Sequence, residues 1–288
     1  MESDALALAR RYVDIDRPQA ALDALGRARE DELETAEYWA IRAQSLLQLE
    51  RSTASAEAAQ RGLERSPQDV QLLDLLALAH LQSGHCQEAS DVLSRALELA
   101  PADPILLAHR ALAVARLGAF DSARALVAEA MRLAPDFVPV LRVRAQVAFL
   151  ARDESASDYI DELLEREPED ATGHALRGNL AIRGKQYVSA SKAFDEAVRL
   201  DPSDSEFAEV AGKARVAAHP LLAPVRPIWR FGRWRSYFVF LTLVFVLAAS
   251  GLKSLRVVVV AAWLCIAFLS WFGPPLIRWR RRRKYGDV

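Results

Sequence analysis

Small apolar residues recur along most of the chain at fixed distances from a proline, and long uncharged runs appear only near its end. Prolines stand at 67, 101, 135, 168 and 202, spaced 34, 34, 33 and 34 residues apart. Twelve residues before them come Ser55, Ala89, Ala123, Ala156 and Ala190, and five before come Gly62, Ala96, Ala130, Leu163 and Ala197. Twenty-four before stand Ala43, Ala77, Ala111, Arg144 and Gly178. Arg144 breaks the pattern within the one 33-residue interval, where a one-residue deletion would bring Ala145 into register. Periods of this length mark stacked helical repeats. Small side chains are needed where helix axes approach closely. A proline closes each unit because it cannot continue a helix and restricts the residue before it.

The opening thirty residues keep the same template without a proline. Ala9, Ala21 and Ala28 hold spacings of 12 and 7, Tyr12 takes the aromatic position of the first helix, and Leu33 stands where the proline would be. This gives six helix pairs, the first degenerate as terminal repeats often are. One more helix is predicted at about 204–218, with Phe207, Val210, Ala211 and Ala214 as its apolar stripe. The fold class expected is all-α, a helical solenoid over residues 1–218.

Together with Trp39 near the start of one unit, and Gly84 and Gly118 at the turns between paired helices, this pattern resembles the tetratricopeptide repeat. The resemblance covers about three quarters of the chain. It implies that the first helix of each pair lines a concave face on which a partner protein lays an extended or helical segment. Carried onto this chain, the inward positions are Gln44, Asp74, Gln82, Arg116, Arg142, Gln146, Asn179 and Arg183. Arg142, Gln146, Asn179 and Arg183 suit a carboxylate or a peptide backbone. The family's chaperone-binding members clamp a terminal carboxylate with a lysine and an asparagine. Ala40 and Gln44 occupy those positions here, so this chain departs from that pattern.

Hydropathy changes character after the repeats. Residues 236–252 and 257–277 carry no charge and are separated by Lys253, Ser254, Leu255 and Arg256. The first run reaches roughly 25 Å as a helix against a hydrocarbon core of ~30 Å. The expectation is a two-helix transmembrane hairpin at 236–277, with a re-entrant hairpin as the alternative. A linker with Pro220, Pro224 and Pro227 precedes it at 219–235, and a basic tail follows at 278–288. Arg230, Arg233, Arg235, Arg278, Arg280, Arg281, Arg282, Arg283 and Lys284 are the candidates for anionic lipid headgroups. Their bias places both termini in the cytoplasm of a multi-pass inner-membrane protein. Trp229, Trp234, Trp271 and Trp279 fall where an aromatic belt belongs.

Charge sharpens the division. The whole chain carries −1, but residues 218–288 hold ten Arg, two Lys and one Asp, leaving −12 on the first 217 residues. An acidic repeat region is a poor nucleic-acid binder, because phosphate affinity rests on Lys and Arg. Cys86 and Cys265 build neither a disulfide framework nor a zinc site. No basic flank with an apolar run opens the chain, so no signal peptide is expected. His80 and His85 beside Cys86 read as a polar turn rather than a metal site. No phosphate loop, nucleophile elbow or paired-histidine motif occurs, so neither enzyme activity nor a cofactor is expected. The expected function is a membrane-anchored scaffold or adaptor presenting its groove to a protein partner. The alternative is an accessory subunit of a membrane enzyme or transport complex, with other membrane proteins as partners.

Overall fold

The computed structural model describes residues 5–226 and, beyond them, 238, 241–242, 244–246, 257–269, 272 and 275–276. The chain divides into two compact units, Met1–Arg166 and Glu167–Val288. In the first, helices pair as α1 (Ala5–Asp14) with α2 (Pro18–Leu25), and, after the short α3 (Glu30–Leu33), as α4 (Ala36–Gln48) with α5 (Ser52–Arg65). The pairs α6 (Val70–Gln82) with α7 (Cys86–Leu99), α8 (Pro104–Arg116) with α9 (Phe120–Leu133) and α10 (Val138–Ala151) with α11 (Ala156–Arg166) follow. The second unit holds α12 (Ala171–Arg183), α13 (Tyr187–Leu200), α14 (Ser205–Ala217) and a 3-10 turn at Pro220–Val225. The described residues form no strand.

Two local devices punctuate the repeats. Asp69, Asp103, Asp170 and Asp204 each follow a repeat proline by two residues and cap the next helix. Each carboxylate accepts from backbone N–H groups of the first turn, at 3.0 Å from Leu72 and 2.7 Å from Gly173, for example. Such caps satisfy donors that have no partner within the helix. Between the helices of a pair the chain turns through one left-handed residue, in succession Asp16, Glu50, Gly84, Gly118, Arg152 and Lys185. These are 34 residues apart except for the last interval of 33.

That second period locates the deletion. Five residues after the left-handed position come the buried Ala21, Ser55, Ala89, Ala123 and Ala190, but only four separate Arg152 from Ala156. The missing residue therefore lies in the turn between α10 and α11. Upstream of it Ala145 holds the small position and is fully buried, as the register shift requires. Arg144 turns instead to stack over the Tyr159 ring at 4.4 Å and pair with Glu162.

The small positions are where helices touch. Ala43, Ala77, Ala111, Ala145, Ala89, Ala96, Ala123 and Ala130 are all buried. A Cβ on Gly62 would stand 2.7 Å from the Leu72 side chain, and one on Gly178 2.6 Å from the Phe194 ring. Ser55 Oγ donates across the pair to the Ala43 carbonyl at 2.8 Å. In the second unit Ala190, Phe194, Ala197, Ala211 and Ala214 form one core, with Phe207 and Val210 packed against it. The stripe predicted for α14 therefore faces that core.

The tail requires a correction. Among the described residues no helix is long and apolar enough to cross a membrane. The described helical residues 257–269 number 13, about 20 Å of rise against a hydrocarbon core of ~30 Å. Of these, Ile266 and Leu269 pack on the buried Val216 and Leu222. An uncharged run counts residues, whereas a span requires an unbroken helix of sufficient length. The assignment as a multi-pass inner-membrane protein with two cytoplasmic termini is therefore overturned. Arg230, Arg233, Arg235, Arg278, Arg280, Arg281, Arg282, Arg283 and Lys284 lie outside the described residues, as do Trp229, Trp234, Trp271 and Trp279.

Candidate functional site

The first helices α4, α6, α8 and α10 carry the groove candidates of the first unit, and the structure divides those residues by what they already hold. Asp74 on α6 faces His109 on α8, with Oδ1 and Nδ1 2.6 Å apart and both side chains mostly buried. Gln82 Nε2 donates to the Leu47 carbonyl of α4 at 3.4 Å. Arg116 Nη1 donates to the Leu81 carbonyl of α6 at 2.7 Å. Gln82 and Arg116 each stand fifteen residues after their repeat proline, and each reaches the last turn of the preceding first helix. The Leu47 and Leu81 carbonyls each accept one turn amide, from Glu50 and Gly84, and have a second lone pair for the clamp, while the negative end of the helix favours a cationic donor such as Arg116. These residues join neighbouring repeats. The same register is filled by Leu150 in α10 and by Arg183 in α12.

Gln44 and Gln146 differ. Both stand eleven residues after the position that closes the preceding repeat, Leu33 and Pro135, and both are half-buried. Among the described residues neither carboxamide makes a hydrogen bond. Asn179 holds this register in the second unit, half-buried and likewise unbonded. Arg142 and Arg183 are each engaged by a neighbour. The expected group of Arg142, Gln146, Asn179 and Arg183 divides between the two units, Arg142 and Gln146 in the first, Asn179 and Arg183 in the second.

Titration is perturbed at His80 on α6. Burial pushes its pKa below 6.5, Glu88 opposes that shift, and His85 adds to it. The His80 and His85 rings meet edge to face at 6.1 Å. Among the described residues no group of His, Cys, Asp or Glu is arranged to hold a metal. Elsewhere, Trp39 donates its indole N–H to the Leu33 carbonyl at 3.0 Å, with the Arg61 and Arg65 guanidiniums over its ring. That contact joins α4 to the chain preceding it.

Sequence reasoning missed the aspartate caps and the inter-repeat clamps. The signal for the caps is an aspartate two residues after each repeat proline except Pro135, where Phe137 stands. The signal for the clamps is the pair Gln82 and Arg116, one period apart.

A search of curated proteins finds no match. Among solved structures, a tetratricopeptide repeat protein from Parabacteroides merdae is similar at 16% identity, covering 73% of this chain and 82% of that one, with a TM-score of 0.64. A thermophilic TPR protein from Thermus thermophilus follows at 19% identity, with 62% and 98% coverage and a TM-score of 0.56. PilW, described as a widely conserved type IV pilus biogenesis factor, is 18% identical, with 72% and 96% coverage and a TM-score of 0.55. At such identities the likeness is one of fold. The tetratricopeptide repeat family model matches residues 6–70, 75–136 and 142–205, which is most of the chain, and the chain belongs to the tetratricopeptide repeat family.

Proposed function

We propose that this protein is a non-catalytic interaction scaffold whose first-helix face receives a segment of a partner protein. The supporting observation is the set of unspent carboxamides on Gln44 and Gln146. A carboxamide offers both a donor and an acceptor, which matches a peptide backbone. The charged or polar side chains beside them, Asp74, Gln82 and Arg116, are spent on holding repeats together. Asn179 offers the same group in the second unit. The repeat region of the proposal is residues 1–218, with 219–235 as a linker, and membership of the repeat family accords with a protein or peptide partner.

Photocrosslinkers placed at Gln44 and Gln146 should capture the partner, and crosslinkers at the exposed Glu98 and Glu129 on the second helices should not. Replacing Gln44 and Gln146 with alanine should reduce capture at least about tenfold at unchanged helix content, since each removes a satisfied hydrogen bond at the interface. Equal capture at Glu98 or Glu129 would place recognition on the other face.

A further inference from the structure

Three features that close the third and fourth repeats are altered together in the fifth. The helix cap is the first. Asp69 and Asp103 accept from the opening N–H groups of α6 and α8, whereas α10 begins after Phe137, which has no side-chain acceptor and is 40% exposed. Pro139 sets the backbone of that first turn but supplies no hydrogen bond. The inter-repeat clamp is the second. Gln82 and Arg116 reach back to the carbonyls of Leu47 and Leu81, and Leu150 stands in their register with no donor for the end of α8.

The turn is the third. Gly84 and Gly118 adopt the left-handed conformation without a Cβ, at φ of 80° and 86°, but Arg152 adopts it with a full side chain. The clash of Cβ with the following carbonyl disfavours that conformation for an L-residue. The turn is also the one shortened by a residue, and α11 has 11 residues where α5, α7, α9 and α13 have 14. Ion pairs do hold this repeat, Arg124 with Asp153 at 3.0 Å and Arg166 with Asp136 at 2.7 Å. Their side chains are between about a third and two thirds exposed, and such pairs contribute little.

We infer that the α10–α11 repeat is the compliant joint of the first unit, the place where it opens locally while α4 to α9 stay folded. Local opening is set by the sum of caps, cross-links and buried contacts in a segment, and the caps and cross-links are reduced in this repeat relative to the third and fourth. The inference concerns compliance alone and does not depend on what the first-helix face binds.

Native-state hydrogen exchange on the full chain tests it. Amides of α10 and α11 should exchange at least about tenfold faster than those of α6 to α9. The double variant Phe137→Asp/Leu150→Arg restores the cap and the clamp, and should slow exchange in α10 and α11 on the order of tenfold while leaving α6 and α7 unchanged. If the double variant loses helix content, Phe137→Asp alone should still slow α10 by roughly fivefold. Equal protection of α10–α11 and α6–α9 in the native chain would overturn the inference. So would a repaired variant, single or double, that leaves α10 exchange unchanged.

Discussion

Repeats α6–α7 and α8–α9 and repeat α10–α11 share a period, buried alanines where helices cross and a left-handed turn. They differ at the joints between elements. The regular pair uses an aspartate cap, a polar clamp to the preceding helix and a glycine turn. The fifth repeat has phenylalanine, leucine and arginine at those three places. Packing positions are mostly held small, because a side chain added at a close crossing has nowhere to go, and Leu163 is the larger exception in the fifth repeat. Joint positions tolerate substitution, because each is worth only about 1 kcal/mol. The core therefore sets the repeat, and the joints set how firmly each copy is held.

The sharpest way to break this comparison is at residues 144 and 145. Ala145→Leu should destabilise the protein by about 2–3 kcal/mol, because it overpacks a fully buried crossing. Arg144→Ala, one residue away, should cost less, about 1–2 kcal/mol, since it loses a largely buried side chain stacked on a ring and paired with a half-exposed carboxylate but opens no overpacked crossing. Denaturant titration of both variants measures the difference. Reversed magnitudes would mean that the register follows Arg144 after all.

The turns give the next effect. Gly118→Ala should cost about 1 kcal/mol, because φ is 86° there and no neighbour lies near enough to matter. Arg152→Gly should stabilise by about 0.5–1 kcal/mol through the same term with opposite sign. A destabilised Arg152→Gly variant would show that the arginine side chain contributes more than its backbone strain costs. The same denaturant midpoints decide it.

The smallest effect separates the third repeat from the fourth and fifth. His80 stands where those have Val114 and Ala148. Burial lowers its pKa below 6.5 in the folded protein, so below that pH the unfolded chain binds more protons. Stability held above 6.5 is therefore lost as pH falls through the window between 6.5 and the lowered value. His80→Gln should flatten that part of the stability–pH curve. An unchanged slope in the variant would assign the pH dependence to other groups.

Much of the fold was legible because a repeat states its rules several times. Five prolines and fifteen companion positions are enough to place helices and their buried sides, and even the Ala145 register could be read from the spacing. The tail was misread for a physical reason. An uncharged run shows that water is avoided, but crossing a bilayer also requires helix continuity, and the described helix at 257–269 is too short for it. The helices that carry the candidate residues were legible, and the bonds those residues already hold were not. Asp74, Gln82 and Arg116 lie on first helices, yet a sequence does not display which donor is already spent on the next repeat.

By itself the sequence determined the period, the helix pairs and the small residues at their crossings. Those depend on local spacing and side-chain volume, which every repeat states independently. Only the tertiary structure decided that the deletion lies in the turn after Arg152, that Arg116 ends on the Leu81 carbonyl and that His109 meets Asp74. Each of those contacts joins residues about one repeat apart, or depends on a dihedral angle. Such pairings arise from the stacking of one helix pair on the next, which the volumes permit but do not spell out.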